Sequence, residues 1–218
     1  MPNLDPSFFA TLRTEYSRIG IDEKDFDPDP FVQFGLWFGV ASSTGVADAN
    51  AMTLSTATPQ GMPSARTVLL KGFDERGFAF YTNYESQKGK ELLENPYAAL
   101  LFYWKELHRQ VRVTGSVVRL TRQESEEYFR SRPVGSQLAA AASAQSQPIL
   151  DRATLEGQYA ALEARYRHAE VPLPDSWGGY RVVPASFEFW QGRENRLHDR
   201  LRYLPRPEGG WIIDRLAP

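Results

Sequence analysis

The sequence predicts a mainly β fold with flanking helices, its antiparallel sheet closed or half-closed. Three observations predict it. From Ala51 onward the apolar pattern has a period of two, and segments 51–57, 64–71, 77–82, 98–104 and 109–120 read as strands. The connections are short, such as Thr58-Pro-Gln-Gly61, which suits antiparallel neighbours and not a βαβ wind. Leu101-Phe-Tyr-Trp104 is apolar at every position, as expected of a strand buried on both faces inside a barrel.

Ahead of the strands, Phe9, Leu12, Tyr16 and Ile19 recur at helical spacing over residues 6–19, with Arg13 and Tyr16 sharing a face. Asp25-Phe-Asp-Pro-Asp-Pro30 is a stiff acidic connector into a second helix over 31–42, and the loop after it holds Asp48. Arg66-Thr-Val-Leu-Leu-Lys71 is a strand with a cation at each end. Asp74-Glu-Arg-Gly77 supplies turn chemistry, and Phe78-Ala-Phe-Tyr-Thr82 is the expected return strand. Ser86 is placed to cap a helix that Asn95-Pro96 stops. Lys88 then falls in the first helical turn, where free backbone N–H groups favour an anion, so the stretch reads as a phosphate cradle. An ordinary hairpin followed by a surface helix with snorkelling lysines accounts for the same residues. Thr121 caps a helix to about residue 129, and Pro133 breaks it. An alanine-rich helix over 134–144 and a third over 153–167 follow. Late strands are expected at 180–183, 186–191, 200–204 and 211–216. The whole of 1–218 reads as one domain: a helical segment (1–45), barrel strands (51–120), helices (121–170) and C-terminal strands (178–218).

Composition narrows the function. Lys+Arg 25 against Asp+Glu 27 gives a net charge of -2, which lacks the basic surplus that nucleic-acid binding needs. No cysteine is present, which removes disulfides, thiolate nucleophiles and cysteine metal sites and fits a reducing cytoplasm. Three scattered histidines give no reason to expect a metal. No signal peptide and no membrane span are expected. GxGxxG, Walker, GxSxG and HExxH motifs are all missing.

What remains is polar clusters suited to phosphate. Tyr128, Arg132 and Ser136 recur at every fourth position, offering a hydroxyl, a guanidinium fork and a second hydroxyl. Solvated polar residues at a helix end would look the same. Gln145-Ser146 is a second donor pair or a plain polar helix end. Were residues 196–200 extended, Arg196, His198 and Arg200 would share one face, and the cations would favour neutral imidazole. The alternative is a solvated strand edge with Asp199 and Glu194 balancing the arginines.

Taken in order, these clusters resemble the pyridoxine (pyridoxamine) 5'-phosphate oxidases, a family of flavoenzymes. The likeness covers about residues 12–218. It rests on RTVLLK (66–71), YTN (81–83), SQKGKELLENP (86–96), RQVRV (109–113), YFRSRPVGSQ (128–137), QS (145–146), EVPLPDSWGG (170–179), EFWQGRENRLHDR (188–200) and IDRLAP (213–218). The resemblance implies a Greek-key-like split β-barrel, a homodimer and FMN in clefts between subunits. It implies oxidation of pyridoxine 5'-phosphate or pyridoxamine 5'-phosphate to pyridoxal 5'-phosphate, with O2 reduced to H2O2.

The resemblance implies FMN contacts at Arg66, Thr67, Val68, Leu69, Leu70, Lys71, Tyr81, Thr82, Lys88, Gln110, Gln145, Ser146, Trp190 and Arg200. It implies substrate-phosphate contacts at Lys71, Tyr128, Arg132 and Ser136, and catalytic ring contacts at Arg196 and His198. Arg13, Tyr16 and Asp48 match positions that close over the substrate. Gln87 departs from the family, which commonly has arginine there, so weaker FMN binding is expected. Strict alternation also puts Arg66 and Lys71 on opposite strand faces, which a bulge or a division of labour would reconcile. A related oxidase with another substrate, of the phenazine-pathway type, and a non-catalytic FMN- or pyridoxal-phosphate-binding protein are the competing assignments.

Overall fold

The computed structural model describes residues 20–218. The helix expected over 6–19, with Arg13 and Tyr16, lies outside the described residues. In chain order the elements are α1 (Pro30–Ser43), β1 (Ala51–Ala57), β2 (Pro63–Leu69), β3 (Gly72–Asp74), β4 (Gly77–Asn83), α2 (Gln87–Glu94), β5 (Tyr97–Trp104), β6 (Arg109–Arg119), α3 (Arg122–Ser131), α4 (Val134–Ala142), α5 (Arg152–Arg165), β7 (Trp177–Gln191), β8 (Asp199–Pro205) and β9 (Trp211–Arg215). They divide into two compact units. One comprises Asp48–Phe102 and Arg112–Ser186; the other comprises the described residues up to Ala47, Tyr103–Val111 and Phe187–Pro218.

In the first unit the strand order is β2-β1-β5-β6-β7-β4-β3. The chain itself shows why this sheet curls. β2 and β3 stand at opposite ends of that order, yet only Leu70 and Lys71 separate them in sequence. Three Cα steps reach about 11 Å, so the two edges are drawn together into a half-closed barrel. The two linking residues change partners in turn: Leu70 N–H donates to Asn50 O (2.8 Å) and Lys71 N–H to Ala79 O (2.9 Å).

This corrects the expected hairpin. Residues 66–69 pair antiparallel with β1, Thr67 opposite Thr53 and Arg66 opposite Leu54. The partner of β4 is instead the short β3, which the sequence pattern merged into a turn. Alternation fails as a guide here because the strand ends at Leu69, so Lys71 obeys the register of another partner. Burial on both faces of β5 is also corrected: the strand alternates, with Leu100, Phe102 and Trp104 buried and Tyr103 54% exposed. The two expected strands 180–183 and 186–191 are one, because Pro184 sits within the extended run without breaking it.

Inside the curl, Met52, Leu54, Phe78, Phe80, Leu100, Phe102, Val113 and Val182 form the buried core. The helices earn their places through caps and faces. Ser86 Oγ accepts from Gly89 N–H (3.3 Å) to start α2. A Cβ on Gly89 would come within 2.1 Å of Tyr84 O, so only glycine permits this approach. Thr121 and Glu124 make a reciprocal capping box on α3. Phe129, Leu138, Val171 and Trp177 form a second core, against which Tyr81, Tyr128, Tyr159, Leu162 and Tyr166 pack.

In the other unit, Asp29 caps α1 by accepting from Phe31 N–H, with Pro30 in the first turn. Phe26, Trp37 and Phe189 meet edge to face at 5.2–5.7 Å. Residues 187–191 pair antiparallel with β8, and β8 with β9.

Candidate active site

The seam between β2 and β3 opens into a cavity of about 930 Å³, the size of a cofactor site. β2 lines it with Arg66, Thr67, Val68 and Leu69, and the linking residue Lys71 joins them. β4 adds Tyr81, Thr82 and Asn83, α2 adds Lys88, and the α3–α4 corner adds Tyr128, Arg132 and Ser136. Gln145, Tyr159 and Trp177 complete the walls named here. Arg66 and Lys71, expected on opposite faces, thus line one cavity. The change of strand partner after Leu69 achieves what a bulge was invoked for.

Four cations therefore share one wall system: Arg66, Lys71, Lys88 and Arg132. Their local partners differ in kind. Lys88 is buried, and its Nζ donates to Gln145 Oε1 (2.9 Å), Thr82 Oγ1 (3.3 Å) and Ser86 Oγ (3.5 Å), all neutral acceptors. Burial, then repulsion from Arg66, pushes the Lys88 pKa down, with Glu91 pulling the other way. Thr82 Oγ1 also donates to Gln145 Oε1 (3.0 Å), which fixes that amide. Arg132 stacks over the ring of Trp177 (4.8 Å) and near Phe129 (5.8 Å). Its Nη1 is buried with no hydrogen-bond partner, and burial pushes its pKa down. A buried guanidinium nitrogen without an acceptor is costly, and the fold itself leaves this one unsatisfied.

Arg66 is anchored. Its Nη1 donates to Thr56 Oγ1 (2.5 Å) and Leu54 O (3.3 Å), and its Nη2 to Ser64 Oγ (2.5 Å) and Glu91 Oε2 (3.4 Å). Glu91 also accepts from Thr56, from Ser64 Oγ (2.6 Å) and from Gln87 Nε2 (2.9 Å). Burial alone would raise the Glu91 pKa. The hydrogen bonds and the Arg66 charge outweigh it and hold the carboxyl at about 2. The one carboxylate on the described lining, Glu156, is paired with Arg152 (2.6 Å).

Beside the cations lies an aromatic slab. Tyr81 stacks on Tyr128 (4.0 Å, 21°), and Trp177 lies nearly parallel to both (5.5 Å, 12° and 6.2 Å, 8°). Burial is the main cause of a raised Tyr81 pKa, keeping that phenol neutral.

Other expected site residues lie elsewhere. Leu70 is buried behind the seam, and Ser146 is exposed at a φ of 69°. Asp48 takes a φ of 48° in the turn before β1. Gln110, Trp190, Arg196, His198 and Arg200 belong to the other unit. There the extended run expected over 196–200 is corrected: residues 194–196 form a tight turn, with Asn195 at φ 56° and Arg196 at φ 61°, and β8 starts only at Asp199. His198 Nδ1 accepts from Arg193 N–H (3.0 Å), and its ring lies 4.7 Å from that of Trp190. Burial, then Arg196, pushes the His198 pKa down, which favours neutral imidazole. Asp199 holds Arg193 (3.0 Å) and Arg215 (2.6 Å). Arg200 makes a two-pronged pair with Glu188 (2.9 and 3.1 Å).

Sequence reasoning missed Thr56, Ser64, Glu91, Tyr159 and Trp177. Glu91 carried a signal, since it stands four residues after Gln87 on the same helical face. Trp177 stands three residues ahead of the strand expected to begin at residue 180, outside any element the pattern marked.

The fold and cavity together define a class: half-closed antiparallel barrels with a cation-lined cavity at the seam. The pyridoxamine 5'-phosphate oxidase family model matches residues 41–166, and a model described as the pyridoxine 5'-phosphate oxidase C-terminal dimerisation region matches 177–218. The chain is 58% identical to a pyridoxine/pyridoxamine 5'-phosphate oxidase of Rubrobacter xylanophilus, over 96% of each chain. It is 56% identical to one of Bordetella petrii, over 96% of this chain and 99% of that one. The chain belongs to the pyridoxamine 5'-phosphate oxidase family.

Among solved structures, PhzG from Burkholderia lata 383, in complex with tetrahydrophenazine-1-carboxylic acid, superposes with a TM-score of 0.87. It is 32% identical, covering 94% of this chain and 100% of that one. A pyridoxamine 5'-phosphate oxidase-related, FMN binding protein from Nostoc punctiforme PCC 73102 shares the fold at a TM-score of 0.66 and 16% identity, over 85% of this chain and 96% of that one.

Proposed function

We propose that this chain is a pyridoxine/pyridoxamine 5'-phosphate oxidase that uses FMN, and that it works as a homodimer. The observation that carries the assignment is the set of cations on the cavity wall whose charge the wall itself leaves uncompensated: Lys88, held only by neutral acceptors, and Arg132 with its orphaned Nη1. Two phosphates, one on cofactor and one on substrate, account for them.

The residues present fit FMN. Lys88 and Arg66 would hold its phosphate, with Thr82 and Gln145 fixing Lys88, while Thr67, Val68, Leu69 and Lys71 would offer the β2 edge and seam to the rest of the molecule. Tyr128, Arg132 and Ser136 take the phosphate of the vitamin. When bound, FMN would supply the two-electron acceptor, with O2 as the terminal oxidant, reduced to H2O2. Overall, C4' loses two electrons and two protons. An alcohol gives the aldehyde directly, and an amine gives an imine that water hydrolyses. The protein's own work is to bind, orient and exclude water. Arg196 and His198 act on the pyridine ring; neutral His198, with Nδ1 accepting from Arg193, presents its proton at Nε2.

The C-terminal dimerisation region supports a dimer, and Gln110, Trp190, Arg196, His198 and Arg200 are assigned to a site completed by the second subunit. A cysteine-free chain fits catalysis in the reducing cytoplasm. Identities of 56–58% to the named oxidases against 32% to PhzG favour the vitamin phosphate over a phenazine precursor. The test is anaerobic addition of pyridoxine 5'-phosphate to the FMN-loaded protein. The flavin colour bleaches and returns with air if the assignment holds; persistent colour with either vitamer overturns it.

A further inference from the structure

Arg132 is the cation whose placement is hardest to explain from its own bonds. It sits at the C-cap of α3, extended at φ −76° and ψ 149°, immediately before Pro133. Its carbonyl accepts from Gln137 Nε2 (2.8 Å), so the backbone is pinned. The side chain has no such fastening: no ion pair to a carboxylate is found for it among the described residues, and Nη1 has no acceptor. A long, flexible side chain in that position would ordinarily sample many rotamers.

The contact that limits it is a ring. Trp177, the first residue of β7, places its indole 4.8 Å from the guanidinium carbon and is itself only 6% exposed. That indole cannot move aside. It is paired through the backbone to Asn83, and its ring is braced by Tyr81, by Tyr128 and, edge on, by Phe129 (5.2 Å). The slab thus takes one ring each from β4, α3 and β7. A guanidinium that settles face-on over a ring keeps its N–H groups in its own plane, with its edge open to oxygen acceptors. Neutral aromatic carbon can orient the cation without neutralising it, as a carboxylate would.

We propose that Trp177 is a positioning residue for substrate, acting through Arg132: it fixes the guanidinium plane so that the fork meets a phosphomonoester ready-made. This rests on the assignment of Arg132 to substrate phosphate made above. The mechanism differs from simple packing, because its benefit is confined to ligands that carry phosphate at that subsite.

The test uses full-length, FMN-loaded protein with Trp177→Leu, Trp177→Phe and, leaving the tryptophan in place, Arg132→Lys. Trp177→Leu should raise KM for pyridoxine 5'-phosphate about tenfold while kcat and the FMN dissociation constant stay within about twofold. The inhibition constant of inorganic phosphate should rise in parallel. Trp177→Phe, which restores a ring, should recover about half of the loss on a logarithmic scale. Arg132→Lys keeps the charge and loses the planar stack, so it should reproduce the Trp177→Leu pattern even if that variant folds poorly. In the double variant the two losses should not add.

An unchanged KM and phosphate inhibition in Trp177→Leu, or a fall in kcat alone, overturns the proposal. So does full additivity of the two losses. If neither vitamer turns over, the oxidase assignment fails on its own. Calorimetric titration of the same holoproteins with inorganic phosphate then still decides the role of Trp177, with equal affinity across the variants counting against it.

Discussion

The C-terminal strands and the seam cavity partner their cations in opposite ways. In the unit that ends the chain, arginines meet carboxylates: Arg193 and Arg215 share Asp199, Arg215 also grips Glu23, Arg200 grips Glu188 and Arg202 grips Asp214. In the cavity of the other unit, Lys88 has only neutral acceptors, and Arg132 has a ring and an orphaned Nη1. Among the described residues, Arg66 is the one lining cation with a carboxylate partner, and Glu91 shares itself among three further donors. A cation with its own carboxylate has its charge spent within the fold. A buried cation without one keeps its charge for a ligand, at a cost in stability that the ligand repays on binding.

Four substitutions sharpen or break this contrast, given from the largest expected effect to the smallest. Arg132→Ala should raise KM for pyridoxine 5'-phosphate about 100-fold, since two charge-assisted bonds of ~1.5 kcal/mol each are lost. Steady-state kinetics on FMN-loaded protein measure it, and a change below threefold breaks the contrast. Lys88→Met should weaken FMN binding by about 30-fold, read by fluorescence titration, and should raise the stability of the apoprotein because a buried charge is gone. Loss of apoprotein stability instead would show that Lys88 is a structural cation after all. Gln87→Arg should tighten FMN binding about fivefold by adding a cation beside the cradle; equal dissociation constants refute the expectation. Arg215→Ala, on the paired side of the comparison, should cost about 1 kcal/mol of stability or less, as partly exposed pairs do. Its FMN affinity should stay within about twofold, and a large loss would mean that the carboxylate-paired arginines are functional too.

Much of the fold was legible because it obeys local rules. β1 was read to the residue, and α3 and α4 were found from Thr121 and Pro133, since caps and prolines act within a turn or two. The hairpin was misread because the strand was run on to Lys71: β2 ends at Leu69 and pairs with β1 across the Thr58–Gly61 turn, and the strand that pairs with β4 is a separate one of only three residues. Pro184 misled in the other direction, splitting a strand that continues through it. Of the cavity, the polar residues around Lys88 and Arg132 were legible from their spacing and from family resemblance. Glu91 and Trp177 were not, because a carboxylate in an anion site and an aromatic beside glycines gain meaning only from what they touch. The turn at Asn195 and Arg196 was invisible for a similar reason, since positive φ at an arginine is imposed by its surroundings.

The central claim is that uncompensated charge in the seam cavity is held for phosphate. It is tested most directly by comparing FMN with riboflavin, which has the same ring system and no phosphate, in equilibrium titrations of the apoprotein. The account predicts that FMN binds at least about 100-fold tighter and that Lys88→Met erases most of the difference. Equal affinities for the two flavins would contradict it.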